Sequence, residues 1–369
     1  MKKFLSLTLL MMLTGCSLFN YDAPYSDLEV SEIPVKVGVI TPLSGGLATY
    51  GVETKNIIDA TLRKEFLDDQ NIEIVYEDSK CSGSDAVTAY RKLLDVDKVD
   101  VILGGLCSTE SLAFAPLLEA DSMVALSNVS TSPDLEGLST NFMTLSFNDE
   151  DLARNIAKEA DFSDKVAIIT EQNDWNTGIL KVLEKDLGDK IISNETFEKG
   201  SNDFRSIITK TLNANPEVII LNPNAGPTST DLINQLAEYK DQLDGVTLVS
   251  QILLYLTDGV IESSDGVSGN VRVVDTATLQ TQEFKDFKAD SGEIIFYTDF
   301  FVASTHDALV NLVNSYRQAV SFETSMVEVL RNAKLEGFIS EGKTFGGSSF
   351  LKGIDFSTFV YEEGEMKEL

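Results

Sequence analysis

The chain has 369 residues, of which 43% are hydrophobic, a composition typical of a globular protein large enough for two domains. Acidic residues outnumber basic residues by 59 to 29, and the resulting formal net charge of −30 excludes a protein that binds nucleic acid through a basic surface. Because the acidic residues are dispersed along the chain, we interpret them as a solvated surface rather than as a site that attracts cationic ligands.

The first 33 residues have the pattern of an export signal followed by a tether. Lys2 and Lys3 precede the apolar stretch Phe4–Leu13, which is too short to span a bilayer stably. The stretch closes with LTGC, ending at Cys16, and this segment resembles the bacterial lipobox. The resemblance implies removal of residues 1–15 and attachment of lipid to Cys16, whereas cleavage without lipid is the alternative. Residues 16–33 are polar and acidic and predict a flexible tether.

Residues 34–147 predict alternating strands and helices. Strands are predicted at Val35–Ile40, Ile72–Glu77, Val101–Leu103, Met123–Leu126 and Asn141–Phe147. A glycine-rich loop, TPLSGGLATYG, follows the first strand, but the G-x-G-x-x-G order and the lysine of a phosphate-binding loop are missing.

The segment from residue 101 to residue 135 has the clearest pattern of a ligand site. Gly104 and Gly105 end a strand, Ser108 stands where a helix N-cap is expected, and the next strand ends in SNVSTSP. Loops at the carboxyl ends of parallel strands are where open α/β sheets bind ligands, and helix N-termini there favour anions. The alternative is that these serines and threonines are ordinary helix caps.

Residues 148–277 predict a second run of strand and helix units, and hence a second parallel sheet with right-handed crossovers. Strands are predicted at Lys165–Thr170, Glu217–Asn222 and Val246–Gln251, and helices at Asp149–Ala160, Thr177–Leu187, Phe204–Asn213 and Thr228–Tyr239. Gly269–Thr276 is predicted to lead back to the first unit, Phe300–Ala319 to form a long helix, and Phe350–Tyr361 to form strands that return to the second unit.

Short motifs in a fixed order resemble the leucine/isoleucine/valine-binding family of type I periplasmic binding proteins. They are VGVITPLSGGLATYG, CSTES, SNVSTSPDL, GSNDF and FLKGIDF, between about Val35 and Tyr361. The resemblance implies an α/β fold of two doubly wound parallel-sheet lobes joined by a three-crossing hinge. Lobe 1 is expected to contain residues 34–147 and 278–345, and lobe 2 residues 148–277 and 346–369.

The resemblance also implies the residues that contact the ligand. In the family, a hydroxyl and N–H after a cysteine and a threonine 23 residues later hold a carboxylate, positions that correspond here to Ser108 and Thr131. The remaining implied contacts are Tyr50, Val129, Trp175, Asn224, Gln251 and His306. Amino-acid binders of the family commonly have a glutamate where this chain has Gln251, so either another acid nearby serves a ligand ammonium or the ligand carries none.

The chain has three cysteines, and two of them, Cys81 and Cys107, lie outside the predicted lipidation site at Cys16. Export places them in an oxidising compartment, and the family has a disulfide at the matching pair. Two cysteines and one distant histidine form no metal site and no catalytic triad.

These observations predict a lipid-anchored, extracytoplasmic receptor of an ABC importer that binds an amino acid or a similar small carboxylate. Its expected partners are the ligand, permease subunits and the membrane, with no cofactor and no nucleic acid. The alternative is a sensing module that signals to a membrane receptor. An enzyme is not expected, because only Ser108 and His306 could be combined into a nucleophile–base pair and nothing in the sequence holds them together.

Overall fold

The computed structural model describes residues 33–67, 69–224, 227–251, 267, 271–292, 298–362 and 365–369. Residues 1–32, which contain the predicted signal peptide, Cys16 and most of the tether, lie outside the described residues. The backbone of Tyr361 is described, but its side chain is not.

Within the described ranges, twelve strands form two sheets. In chain order they are β1 Val35–Thr41, β2 Ile72–Asp78, β3 Val101–Leu103, β4 Ala125–Ser127, β5 Phe142–Thr144, β6 Val166–Gln172, β7 Ile191–Glu198, β8 Val218–Asn222, β9 Thr247–Gln251, β10 Val271–Thr276, β11 Phe356–Glu362 and β12 Glu365–Glu368. The first sheet has the order β2-β1-β3-β4-β5 and the second β7-β6-β8-β9-β10-β11-β12. Both begin with the 2-1-3-type order of a doubly wound fold, in which the strand order reverses beside the first strand.

The helices cover both faces of the sheets. They are α1 Ala48–Glu65, α2 Gly83–Lys92, α3 Ser108–Phe114, α4 Leu118–Asp121, α5 Asp149–Ala160, α6 Asp174–Leu187, α7 Arg205–Asn213, α8 Pro227–Ala237, α9 Gln282–Asp290, α10 Asp299–Ser321 and α11 Met326–Asn332. A π turn at Leu93–Asp97 and 3₁₀ turns at Ala115–Leu117, Pro133–Leu135 and Gly188–Lys190 complete the regular structure. Among the described helices, none offers an apolar stretch long enough to traverse a membrane.

The first sheet is parallel throughout, and its strands other than the half-buried edge strand β2 are buried. β1 pairs with β2 from Val35 and Ile72 to Thr41 and Asp78, and its apolar side chains have almost no solvent exposure. Helix α10 packs against β1, β3 and α1, so most of its residues are buried around the whole circumference. This burial explains why the apolar runs of the first lobe are continuous rather than alternating.

The second sheet differs from the prediction in two ways. β11 and β12 are antiparallel to their neighbours, so the sheet is parallel only from β7 to β10. β7 was not predicted, because IISNETFE alternates between half-buried and exposed positions at the sheet edge and lacks the continuous apolar run of a covered strand.

Three chain segments connect the two lobes, which confirms the predicted fold class. The first crossing follows β5 and the second follows β10. Phe350 forms a parallel bridge with Thr144 of β5, so residues up to about Leu351 pack with the first sheet. We therefore propose the predicted division of the chain with the third boundary after Leu351 rather than after residue 345.

Candidate ligand-binding cleft

A cavity of about 200 Å³ lies between the carboxyl ends of the two sheets. Its wall contains seven of the eight predicted site residues: Tyr50, Ser108, Val129, Thr131, Trp175, Asn224 and Gln251. Much of the remaining wall is apolar and includes Leu106, Phe147 and Phe300. Apolar walls with a small number of polar groups are characteristic of small-molecule sites.

The loop after β3 brings its residues to the cavity by a turn that requires glycine. Gly104 has a φ of +129°, and a Cβ atom there would lie 2.4 Å from the carbonyl oxygen of Ile40. Cys107 is the N-cap of α3, so the prediction that Ser108 caps this helix is wrong. Ser108 is instead the first helical residue, and its side chain is free to face the neighbouring loop.

The side chain of Ser108 joins the two loops that were predicted to hold a carboxylate. Its Oγ accepts hydrogen bonds from the backbone N–H of Ser132 at 3.2 Å and of Thr131 at 3.4 Å. A hydroxyl that accepts in this way still has its own hydrogen to donate. Ser108 can therefore fix the loop after β4 and donate to an anionic ligand in the cavity.

A disulfide and a buried carboxylate hold the start of α3 in place. Cys81 and Cys107 are bonded, with 5.6 Å between their Cα atoms. The carboxylate of Glu110 accepts hydrogen bonds from the N–H of Cys107 and from the hydroxyl of Ser79. Burial raises the pKa of Glu110 to about 7, although these hydrogen bonds favour its ionised form. The position of Ser108 is thus fixed by covalent and polar contacts behind the cavity.

In the second lobe, Trp175 lies in the first turn of α6. Its Nε1 donates a hydrogen bond to Oδ1 of Asp149 at 2.8 Å, and Asp149 has no solvent exposure. Burial raises the pKa of Asp149 to about 7, against the effect of hydrogen bonds from Thr131 and Trp175. The indole ring is therefore held at the cavity wall.

Asn224 lies in the loop after β8, and Gln251 is the last residue of β9. The N–H of Asn224 donates to Oε2 of Glu171 at 2.9 Å, and Nε2 of Gln251 donates to the carbonyl oxygen of Pro223 at 2.9 Å. Gln251 is buried, and this hydrogen bond directs its amide group to the backbone of the β8 loop. Gln251 therefore provides the wall with a neutral group where the family commonly has a carboxylate.

The two lobes touch at the side of the cavity. Oγ1 of Thr109 in α3 donates to Oδ2 of Asp174 in α6 at 3.2 Å, and Pro133 packs beside Gly178. These contacts join residues on opposite sides of the hinge. The two lobes are thus in direct contact beside the cavity.

Tyr50 lies in the first turn of α1 rather than at the tip of the glycine-rich loop. Its ring is 8% exposed and belongs to the apolar cluster that contains Phe300 and Phe301. The loop before it is held by Asp78, whose Oδ1 accepts from the N–H of Leu43 at 2.8 Å. Tyr50 contributes an apolar part of the cavity wall, and burial raises its pKa.

The prediction that His306 contacts the ligand is wrong. His306 is not among the residues that line the cavity, because its ring lies between the rings of Phe287 and Phe338. Its Nδ1 lies 2.8 Å from Oδ1 of Asp307, and its Nε2 lies 3.2 Å from Oε1 of Glu65. Burial alone would lower the pKa of His306, but these two carboxylates raise it.

Several cavity residues were missed by the sequence analysis, above all Asp275 and Lys199. Asp275 lies near the carboxyl end of β10, and Lys199 directly follows β7. The rule that ligands bind at the carboxyl ends of strands pointed to both positions. The sequence of β10 predicted only a connection back to the first unit, and β7 was not predicted as a strand. Neither Asp275 nor Lys199 was therefore expected at a strand end.

The fold and the cleft define a type I binding protein with a ligand site between two hinged lobes. The chain belongs to the periplasmic binding protein family, whose model matches residues 34–321, and within it to the leucine/isoleucine/valine-binding type. A curated "Leu/Ile/Val-binding protein" of Escherichia coli K12 is 21% identical over 372 residues, which cover 94% of this chain and 95% of the relative.

Two further comparisons agree with this assignment. An "Amino acid binding protein" of Pseudomonas aeruginosa is 25% identical over 222 residues, which cover 55% of this chain and little more than half, 57%, of the relative. The solved structure of an ABC-transporter solute binding protein from Rhodopseudomonas palustris, in complex with p-hydroxybenzoic acid, superposes with a TM-score of 0.79 at 19% identity and covers 91% of this chain and 96% of that one. These relatives are binding proteins rather than enzymes, in agreement with the prediction that this chain is not an enzyme.

Proposed function

We propose that this protein is the extracytoplasmic receptor of an ABC importer and that it binds a small carboxylate in the cleft between its lobes. The observation that carries the proposal is the meeting of Ser108 and Thr131 in one wall of a largely apolar cavity between the lobes. In that wall, hydroxyl groups from two strand ends are held in advance of binding. A preorganised site of this kind loses little free energy to ordering when a ligand enters.

The ligand is proposed to combine a carboxylate with an apolar body. The hydroxyl of Ser108, beside the loop that carries Thr131, suits the carboxylate. Leu106, Val129 and Phe300 suit an aliphatic or aromatic side chain. The relatives agree with this ligand chemistry. One is named for binding leucine, isoleucine and valine, and the other was solved in complex with p-hydroxybenzoic acid.

Export and anchoring rest on the sequence before the first strand. The basic and apolar segments of residues 1–15 support secretion, and Cys16 supports lipid attachment. Several acyl chains on one cysteine would hold the protein firmly at the membrane, whereas a single chain binds only marginally. We propose that the protein is anchored in this way and delivers its ligand to permease subunits.

A thermal-shift screen tests the proposed ligand class. Branched-chain and aromatic amino acids, simple aliphatic carboxylates and hydroxybenzoates are added to the exported protein, with the corresponding primary amides as matched controls. Carboxylates that bind should raise the melting temperature, because a ligand at 100 times its Kd stabilises the native state by about 2.7 kcal/mol. Equal shifts with the amides, or no shift with any carboxylate, would contradict the proposal.

The same receptor could serve a sensor rather than an importer, and the fold does not distinguish them. Purification from gently solubilised membranes in the presence of a ligand from the screen separates the two. Permease subunits in the purified complex support import. A membrane receptor in their place shows that the protein is a sensing module.

A further inference from the structure

A carboxylate that the sequence analysis missed lies on the second lobe's side of the cavity. Asp275 is partly buried in β10 and lines the cavity next to Val274. Burial raises the pKa of Asp275 to about 7, against the effect of hydrogen bonds from Thr276. A cationic group close to Asp275 in the cavity would favour the ionised form of this carboxyl group.

Among the described residues, none provides an ion pair to Asp275. The nearby carboxylate of Asp299 adds repulsion, and Asp299 itself is paired with Lys288 at 2.6 Å. Lys199 is the cationic side chain of the described cavity wall, but it is exposed to solvent. A cationic partner of Asp275 would therefore have to come from a molecule bound in the cavity.

The position of Asp275 also accounts for the neutral Gln251. Gln251 in β9 is the register partner of Val274 in β10, so Asp275 is one residue beyond the pair. The amide of Gln251 donates to the backbone of the β8 loop and carries no charge. This chain thus has an acid on the strand adjacent to the position where the family commonly has one.

We propose that Asp275 recognises an ammonium group of the ligand and makes the cleft select amino carboxylates over carboxylates that lack this group. This inference rests on the proposed function, because it assumes that the cavity binds a carboxylate at Ser108 and Thr131. A hydrogen bond between charged groups contributes about 1.5–3 kcal/mol. The preference for an amino carboxylate is therefore expected to be about 10- to 100-fold in affinity.

Calorimetry with matched ligand pairs tests the inference. The probes are L-leucine against 4-methylpentanoate and L-phenylalanine against 3-phenylpropanoate, which differ within each pair only in the ammonium group. The wild-type protein should bind the amino member of at least one pair about 10- to 100-fold more tightly. Asp275→Asn should remove this preference by weakening the amino member alone, and Asp134→Asn, an exposed position away from the cavity, should leave it unchanged.

The outcomes separate the inference from the proposed function. If the wild type binds both members of a pair equally, or if Asp275→Asn weakens both members equally, the inference is overturned and carboxylate binding stands. If the wild type binds none of the four probes, the inference is overturned, and the proposed function is decided by the other carboxylates of the thermal-shift screen. Should Asp275→Asn fail to fold, Asp275→Ser provides a second neutral variant with the same expected loss of preference.

Discussion

Nε1 of Trp175 donates a hydrogen bond to Oδ1 of Asp149 over 2.8 Å, and this contact joins the cavity wall to the first turn of α5. Asp149 follows the first hinge crossing, and its N–H donates to the carbonyl oxygen of Thr131 at 2.8 Å. One buried acid thus connects the indole at the cavity wall, the hinge and the loop after β4.

Asp149 is expected to make the stability of the protein depend on pH. Its pKa is about 7 in the native state, above the value of about 3.9 for an unperturbed aspartate. Between these values the native state holds a proton that the unfolded state has lost, so the free energy of unfolding falls as the pH rises from about 4 to about 7. Asp149→Asn carries no such proton and should flatten this dependence.

Urea unfolding at pH 4.5, 6 and 7.5, followed by Trp175 fluorescence, measures the effect of Asp149→Asn. Asp164→Asn is a suitable control, because its side chain is 92% exposed. Buried Glu110 and Asp275 contribute in the same direction, so the slope should become shallower rather than vanish. Identical pH profiles for wild type and Asp149→Asn would contradict the assignment.

Ser108→Ala should weaken binding of the carboxylate ligand by about 10- to 100-fold, because a hydrogen bond to a charged group contributes about 1.5–3 kcal/mol. The substitution also removes the acceptor of the Ser132 N–H. Calorimetry with the ligand returned by the thermal-shift screen measures the loss. Ser84→Ala, at an exposed serine of α2, is the control and should bind as the wild type does. Equal affinities for Ser108→Ala and wild type would show that the carboxylate lies elsewhere.

The disulfide between Cys81 and Cys107 closes a loop of 26 residues. In the chain-entropy model, replacing both cysteines by alanine should lower the free energy of unfolding by about 3–4 kcal/mol. Denaturant unfolding of the exported protein measures this loss. Alkylation and mass spectrometry without reductant provide the check on the wild type, in which two freely labelled thiols would refute the bond.

His306→Gln should leave ligand affinity unchanged and lower the stability of the first lobe at acidic pH. Asp307 and Glu65 raise the pKa of His306, so its stabilising charge is fully present below the unfolded value of about 6.5 and is lost as the pH rises through the raised native value. Unfolding at pH 6 should therefore reveal a larger loss than unfolding at pH 9. A weakened affinity in calorimetry would restore His306 to the binding site.

Cys16→Ser tests the lipid anchor. If Cys16 carries the lipid, the variant should be released from the membrane fraction or remain unprocessed, whereas the wild type sediments with membranes. Cell fractionation with mass determination of the product distinguishes these forms. A variant that is processed and remains membrane-bound like the wild type would remove the lipoprotein assignment.

Much of the fold could be predicted from local sequence. Continuous apolar runs marked the covered strands, and the helix Asp149–Ala160 has the predicted bounds. Where burial is one-sided the prediction failed, as at the edge strand β7. Strand ends also identified the two loops that meet at the cavity, because the direction of parallel strands brings their following loops to one edge. The family resemblance, rather than the strand pattern, singled out Ser108 and Thr131 within these loops.

The sequence by itself determined two runs of strand and helix units, because hydrophobic periodicity is a local property of the chain. It also determined which strand-end loops carry polar groups. Only the tertiary structure decided that His306 pairs with Glu65 away from the cavity and that Asp275 faces the cavity beside Gln251. These facts depend on helix rotation and on register between strands distant in sequence, which packing across the whole domain sets and which no local pattern contains.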